Sequence, residues 1–316
     1  MATVYDRPIY REGNLVKKMY RSGELIYYRL NPHSETPVTP ATPLTFNIIS
    51  AGTIYWRANL SSYTKDIQYS VNYGPWSSIT SSTGGTPISL NAGDVVRFKG
   101  DGAISTTTSA YNFFSGSTAV FEASGNVVSL IDSTNYATVT TLAANSFRYL
   151  FQGVTGLTSA ENLILPATTL ADNCYAWMFN GCTSLTTAPE LPATTLASDC
   201  YYGMFRGCTS LTTAPELPAT ALAQGCYEYM FYSCTTLTTA PELPATRLAD
   251  YCYYYMFYRC TSLNYIKCLA IDISADYCTG YWVGNVANSG TFVTPSSTNW
   301  TTDRDGIPSG WTRVNA

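Results

Sequence analysis

From Leu44 to about Leu142 the chain alternates apolar and polar residues in short runs, such as Leu44-Thr-Phe-Asn-Ile48, Ile67-Gln-Tyr-Ser-Val71 and Val95-Val-Arg-Phe-Lys99. Alternation with period two marks a strand with one buried face. Turn clusters, among them Asn72-Tyr-Gly-Pro75 and Thr83-Gly-Gly-Thr86, separate the runs. Short strands with frequent turns predict a β-sandwich over residues 44–142. Ahead of it, residues 31–43 form a Pro/Thr-rich stretch, read as an extended, semi-rigid linker. Residues 1–30 contain a shorter echo, in which Tyr10-Arg11-Glu-Gly-Asn-Leu15 recurs as Tyr20-Arg21-Ser-Gly-Glu-Leu25. Glycine turns between β-prone runs predict a small meander. So few residues bury too little to stand alone, so the meander is expected to dock onto something.

Beyond residue 143 the pattern lengthens to a repeat. All ten cysteines lie after residue 173, and Cys174/Cys182, Cys200/Cys208, Cys226/Cys234 and Cys252/Cys260 recur every 26 residues. Cys278 continues the first column and Cys268 stands off the register. A degenerate copy, Phe147-Arg-Tyr-Leu-Phe151, precedes the four well-formed units. A fixed period of this length implies stacked units, because one unit cannot bury its own apolar face. Cys200, Met204, Phe205 and Cys208 fall on one face of a short predicted helix. Leu211, Ala214, Leu217 and Leu222 then alternate through an extended stretch, in which Pro215 and Pro218 forbid a helix. The expected fold is mainly β with short helices: N-terminal meander (1–30), linker (31–43), β-sandwich (44–142), a solenoid of about five 26-residue coils (143–285) and a C-terminal cap (286–316).

Composition narrows the chemistry. Charged residues make up 12% of the 316, and 26 tyrosines with abundant Thr and Ser supply polarity in their place. The net charge is −4, with +3 on residues 1–30 and −7 on the remainder, so no basic stripe is present to neutralise nucleic-acid phosphates. His33 is the one histidine. Its linker position removes histidine-based triads and His-ligated zinc, so no catalytic residue, metal or cofactor is expected. The first residues lack the apolar core of a secretory signal and no run is long enough to span a membrane, so assembly without that export route is expected.

With no Cys-x-x-Cys and no nearby histidine, the cysteine columns read as buried free thiols, with Cys268 the one expected to be exposed. Glu190, Glu216 and Glu242 form a column of equal neighbours and read as solvated edge residues; Asp303 and Asp305 read as turn residues. The frame of the repeat hardly varies, yet four columns do: Ala176/Tyr202/Glu228/Tyr254, Trp177/Gly203/Tyr229/Tyr255, Asn180/Arg206/Tyr232/Tyr258 and Gly181/Gly207/Ser233/Arg259. They lie between the buried positions and should point outward. Trp177, Tyr202, Arg206, Tyr229, Tyr232, Tyr254, Tyr255 and Tyr258 are the candidate binding residues, since rigid aromatic faces edged with hydroxyls suit sugar rings or a protein partner. The alternative is that these rings fill a low-charge surface or pack on the neighbouring coil.

The unit Cys-Tyr-x-x-Met-Phe-x-Gly-Cys-Thr-Ser-Leu-Thr-Thr-Ala-Pro-Glu-Leu-Pro-Ala-Thr resembles BspA-type leucine-rich repeats, over about residues 146–312. The stretches Tyr69-Ser-Val-Asn-Tyr-Gly-Pro-Trp76 and Asn91-Ala-Gly-Asp-Val-Val-Arg-Phe-Lys-Gly100 resemble the β-domain that often accompanies them. The resemblance implies a leucine-rich-repeat-like solenoid, an adhesive or scaffolding role and no catalytic residues. The N-terminal Tyr-Arg-x-Gly-x-Leu hairpins resemble the virion-docking ends of phage fibre and decoration proteins. That implies docking on capsid or tail through Tyr10, Arg11, Leu15, Tyr20, Arg21 and Leu25, a place in the virion after assembly in the host cytoplasm, and a homo-oligomer such as a trimer. Host-surface or mucus glycan is the expected outward partner, with neither nucleic acid nor membrane insertion involved; a bacterial cell-surface adhesin is the alternative.

Overall fold

The computed structural model describes residues 38–102 and 109–316 together with the backbone of three N-terminal strands. Those strands, β1 (Ile9–Arg11), β2 (Asn14–Arg21) and β3 (Glu24–Arg29), pair antiparallel in that order. Tyr10 is opposite Leu15 and Tyr20 opposite Leu25. The side chains of the six expected docking residues, and linker residues 31–37, lie outside the described residues. Val38 to Pro43 packs on the body: Asn126 Nδ2 donates to Pro40 O at 3.1 Å and the Tyr136 hydroxyl to Ala41 O at 2.6 Å. This half of the expected linker is therefore held, not free.

Eight strands follow: β4 (Leu44–Ser50), β5 (Gly52–Ala58), β6 (Asp66–Val71), β7 (Ser77–Thr80), β8 (Thr86–Leu90), β9 (Val95–Lys99), β10 (Asn112–Phe113) and β11 (Val120–Asn126). With β12 (Leu157–Ile164) they form a three-stranded sheet, β10-β5-β8, and a six-stranded sheet, β12-β11-β4-β9-β6-β7. Alternation decides the faces, since Val96 and Phe98 are buried while Arg97 and Lys99 look outward. Strand β12 belongs to the first repeat and pairs parallel with β11. The core is continuous across this junction: Phe46 lies 4.4 Å from Phe121 and 5.9 Å from Phe151 of the first coil. The C-terminal strands β13 (Tyr265–Lys267), β14 (Thr291–Thr294) and β15 (Thr312–Asn315) form a parallel sheet. No sheet closes into a barrel, and the one helical element among the described residues is a short 3-10 turn, Val127–Leu130.

The predicted helix of each repeat does not form. In its place runs a ribbon of overlapping β-turns. Ala176, Met178, Asn180 and Cys182 donate their N–H to the residue three back, while Tyr175, Trp177, Phe179 and Gly181 donate to the next coil, at Cys200, Tyr202, Met204 and Arg206 (2.7–3.0 Å). An α-helix would satisfy all these donors internally and leave nothing to join the coils. Every second turn needs a positive φ at its third residue. Asn173, Trp177 and Gly181 supply it here, and Asp199, Gly203 and Gly207 one coil later. The resulting four-residue period puts Cys200, Met204 and Cys208 inside, much as a helix of 3.6 residues per turn would.

Like residues stack on like down the interior. Phe151, Phe179, Phe205, Phe231 and Phe257 form one column at 5.3–5.7 Å. Phe147, Tyr175, Tyr201, Tyr227, Tyr253 and Trp282 form a second at 5.8–6.1 Å. The hydroxyls of Tyr175 and Tyr227 are buried with no hydrogen-bond partner. Tyr227→Phe should therefore raise stability by roughly 1 kcal/mol, since the lost hydroxyl carries only a desolvation cost. An unchanged or lowered melting temperature would show that this hydroxyl is satisfied in solution.

All ten thiols are free and buried, and Cys268 is fully enclosed, contrary to expectation. Its residue follows β13, whose alternation turns it inward with Ile266. Within the second column each thiol bonds a phenylalanine carbonyl of the preceding coil: Cys182 to Phe151 O at 3.0 Å, Cys208 to Phe179 O at 3.2 Å and Cys234 to Phe205 O at 3.1 Å. Burial pushes the Cys182, Cys200, Cys260 and Cys268 thiols up to about 12. Because the thiolate is the reactive species, an aromatic disulfide reagent at pH 8 should label none of the ten rapidly in the native protein and all ten in denaturant. Cys278, the least enclosed, should react first; rapid native labelling of Cys268 would contradict this packing.

Candidate functional site

The outer surface of the turn ribbon is set by backbone sign. The residue at the middle left-handed position is Tyr149, Trp177, Gly203, Tyr229, Tyr255 and Tyr281 in successive coils, each with φ between 55° and 65° or close to it. Bulky side chains are uncommon there, and each costs of order 1–2 kcal/mol relative to glycine. In five of the six coils the position is nevertheless aromatic and partly exposed. Neighbouring columns add Tyr202, Tyr232, Tyr254 and Tyr258, also partly exposed.

All eight candidate residues come together in one continuous ladder. Trp177 meets Tyr202 at 4.9 Å, Tyr202 meets Tyr229 at 5.5 Å, and Tyr229, Tyr255 and Tyr281 stack nearly parallel at 5.0 and 4.8 Å. Tyr232 stacks on Tyr258 at 5.4 Å. Arg206 is bracketed between Trp177 and Tyr232, its guanidinium 5.5 and 5.0 Å from the two rings. Tyr254 stands nearly perpendicular to Tyr229, Tyr255 and Tyr281. Glycines make room for the large side chains. An added Cβ at Gly203 would lie 2.6 Å from Trp177 Cε3, and one at Gly284 would lie 2.7 Å from Tyr258 Cε2.

Two parts of the sequence expectation change. Ala176, in one of the four variable columns, is buried, and Gly203 is covered by Trp177. The parallel rings stack on one another, so their faces are largely taken. The Tyr229, Tyr255 and Tyr281 stack offers a partner its edges and hydroxyls more than open faces. Tyr149, Tyr251, Tyr277 and Tyr281 belong to the same surface and were not singled out from sequence. Extending the Trp177/Gly203/Tyr229/Tyr255 column by one unit would have found Tyr281, whereas Tyr251 and Tyr277 stand in a fifth column, with Asn173, Asp199 and Gly225.

An acidic pair also lies against the ladder. An added Cβ at Gly225 would collide with Asp199 Oδ1 and lie 3.4 Å from Glu228 Oε2, so both carboxylates converge where Gly225 has no side chain. Desolvation, followed by the charge of Asp199, pushes Glu228 up to about 7, against a hydrogen bond from the Tyr202 hydroxyl. Desolvation raises Asp199 as well, with Arg148 opposing it. The two residues sit in different columns, so no periodic signal couples them in the sequence. An acid raised on folding destabilises the fold once pH exceeds its unfolded value near 4.5, with the full penalty above about 7. Lowering the pH from 7.5 to 5 should thus stabilise the chain by roughly 1 kcal/mol from this group, after allowing for solvent reaching the pair. Glu228→Gln should remove that slope; a melting profile identical to the parent would sink the assignment.

Glu190, Glu216 and Glu242 lie on the extended face, exposed, with Glu242 bonded to Lys267 Nζ at 2.8 Å. Asp303 accepts from Thr301 Oγ1 and from the Asp305 backbone, in keeping with a turn. Among the described residues no cluster of three or more His, Cys, Asp or Glu could hold a metal ion, and no helix is long and apolar enough to cross a membrane.

No family model, curated protein or solved structure matches the chain.

Proposed function

We infer that this chain is a non-enzymatic structural protein of a phage particle, of the head-fibre, decoration or tail-fibre type. In this reading the N-terminal meander docks on capsid or tail, the two facing sheets are a β-sandwich spacer, and the stacked coils are a BspA-type solenoid held outward. The turn-ribbon face then meets host surface or glycan. The supporting observation is the aromatic column at left-handed backbone positions. Glycine is cheapest there, and Gly203 shows that the frame accepts it, yet the other five coils carry Tyr or Trp. Strain kept at partly exposed positions points to a role beyond folding. Phenolic edges and Arg206 supply hydrogen bonds on a rigid surface, and many copies on one particle would bind by avidity even when each contact is weak.

Immunogold electron microscopy with antibody against residues 146–312, on infected and uninfected cultures, tests the reading. Gold on phage heads or tails is the expected result. Gold on the envelopes of uninfected cells would replace it with the bacterial surface adhesin. Removing residues 1–37, which stops short of the segment packed on the body, should abolish incorporation into particles while leaving surface binding by the purified remainder intact.

A further inference from the structure

On the side opposite the turn ribbon the extended segments should pair coil to coil, and at one junction they do not. Ser159 bridges Thr187, Thr187 bridges Thr213 and Thr239 bridges Tyr265, but among the described residues no bridge joins Thr213 to Thr239. The coils stay together at the turn end, where Thr236 Oγ1 donates to Leu211 O at 2.9 Å. Beyond that point they part, leaving a groove of about 600 Å³. It lies between Thr212–Pro218 of the third coil and Thr238–Pro244 of the fourth. The second, third and fourth coils all carry Ala-Pro-Glu-Leu-Pro, and each proline removes a ladder donor. The first and fifth coils lack the first of these prolines, the one after Ala188, Ala214 and Ala240, and form the true strands β12 and β13.

The closed junction beside the groove shows what the open lip can hold. The fourth coil's Thr238-Thr239-Ala240-Pro241-Glu242-Leu243 is identical in sequence to the third coil's Thr212-Thr213-Ala214-Pro215-Glu216-Leu217. The fourth coil is covered by the fifth: Asn264 N–H donates to Thr238 O at 2.9 Å, Ala240 N–H to Tyr265 O at 2.9 Å and Leu243 N–H to Lys267 O at 3.0 Å. The corresponding groups of the third coil are Thr212 O, Ala214 N–H and Leu217 N–H. None has a backbone partner among the described residues. Ala188 and Leu191 N–H of the second coil also have none, but there the Thr187–Thr213 bridge and the bond from Thr212 N–H to Thr186 O at 3.4 Å keep the two segments paired. The three groups of the third coil are an acceptor and two donors in a fixed pattern, on residues that line the groove.

We propose that this groove binds an extended, proline-free peptide, which adds to the third coil as a parallel strand through Thr212 O, Ala214 N–H and Leu217 N–H. Main-chain bonds of this kind give affinity, with alternate side chains setting the preference. The volume is within the range of ordinary ligand sites, roughly 300–1,000 Å³. The site is on the opposite side from the aromatic ladder and does not depend on the virion reading.

The probe is the peptide Leu-Asn-Tyr-Ile-Lys-Ala, a copy of residues 263–268 with alanine in place of Cys268, added to the full-length chain. Amide hydrogen exchange resolved by residue is the measurement. In the free chain Ala214 and Leu217 should exchange faster than Ala240 and Leu243. Saturating peptide should slow Ala214 and Leu217 about 10-fold or more and leave Ala240 and Leu243 unchanged. Methylating the asparagine nitrogen, which removes the donor to Thr212 O, should weaken binding about 10-fold. The proposal is overturned by equal protection of the two pairs in the free chain, because the groove is then closed in solution. It is equally overturned by unchanged exchange at millimolar peptide, or by equal binding of the methylated peptide.

Discussion

Phe205→Ala should destabilise the repeat region by about 3–5 kcal/mol, the usual cost of truncating a fully buried phenylalanine. Phe205 is stacked between Phe179 at 5.4 Å and Phe231 at 5.7 Å, and is completely enclosed. The cavity left behind cannot readily collapse, because hydrogen bonds from Phe179 N–H to Met204 O and from Phe205 N–H to Met230 O fix the spacing of the coils. In a stack whose units contact only their neighbours, the loss acts at two interfaces and weakens cooperativity. Urea unfolding followed by tryptophan emission should therefore move to a lower midpoint and broaden. Phe205→Leu, which keeps most of the volume, should cost less than half as much. A loss below about 1 kcal/mol for the alanine variant would show that the column is loosely packed.

Gly125→Ala should cost about 2–4 kcal/mol, for a different reason. Gly125 lies in β11 with φ at +76°, where an L side chain is strained. A Cβ there would collide with Pro43 O and sit 2.8 Å from Pro43 C and 3.0 Å from Thr42 O. The clash is with backbone, so no rotamer relieves it. Pro43 bridges Asn126 in parallel, and Asn126 in turn holds Pro40. The substitution should therefore lower the melting temperature and also expose residues 38–43 to protease. Gly93→Ala provides the control, because φ is +89° but nothing lies within 4 Å. It should show the strain alone, about 1 kcal/mol, and no new cleavage. Equal losses in the two variants would locate the whole effect in φ and none in the Pro43 contact.

Much of this architecture was legible from the chain. Period-two alternation in Leu44–Ile48 and Val95–Lys99 gave β4 and β9, with the correct face for β9, whereas in β4 the polar Thr45 and Asn47 are buried as well. The cysteine and phenylalanine columns gave the stacking and its buried residues. The ten-residue echo gave the N-terminal meander, while its register, Tyr10 opposite Leu15 and Tyr20 opposite Leu25, came from the structure. The helix assigned to Cys200–Cys208 failed because periods of 3.6 and four residues cannot be told apart over nine positions. The deciding property was hydrogen-bond direction, to the next coil or to the same one, which composition does not carry. Cys268 was misplaced because it follows a strand that appears only where Ala-Pro-Glu-Leu-Pro is replaced by Tyr-Ile-Lys. The ladder was legible in its columns but not in its orientation, since ring-on-ring stacking depends on glycines such as Gly203 and Gly284 in the following coil. The Asp199 and Glu228 pair crosses columns and had no sequence signal.

The division of backbone donors in the turn ribbon, half inward and half onward, also makes the protein's length adjustable. From the second coil to the fourth, each coil hands the next the same set of groups, repeated every 26 residues, as in Tyr175 N–H to Cys200 O, Tyr201 N–H to Cys226 O and Tyr227 N–H to Cys252 O. Excising residues 200–225 would bring Asp199 up against Cys226 with every donor still facing an acceptor. Duplicating the same segment would lengthen the stack by one spacing, about 4.8 Å. Recombination between the nearly identical coding units can therefore shorten or extend the reach of this protein one rung at a time, and with each step delete or copy one row of its outward chemistry. The backbone ladder is kept, and only the surface rings beside the junction must repack.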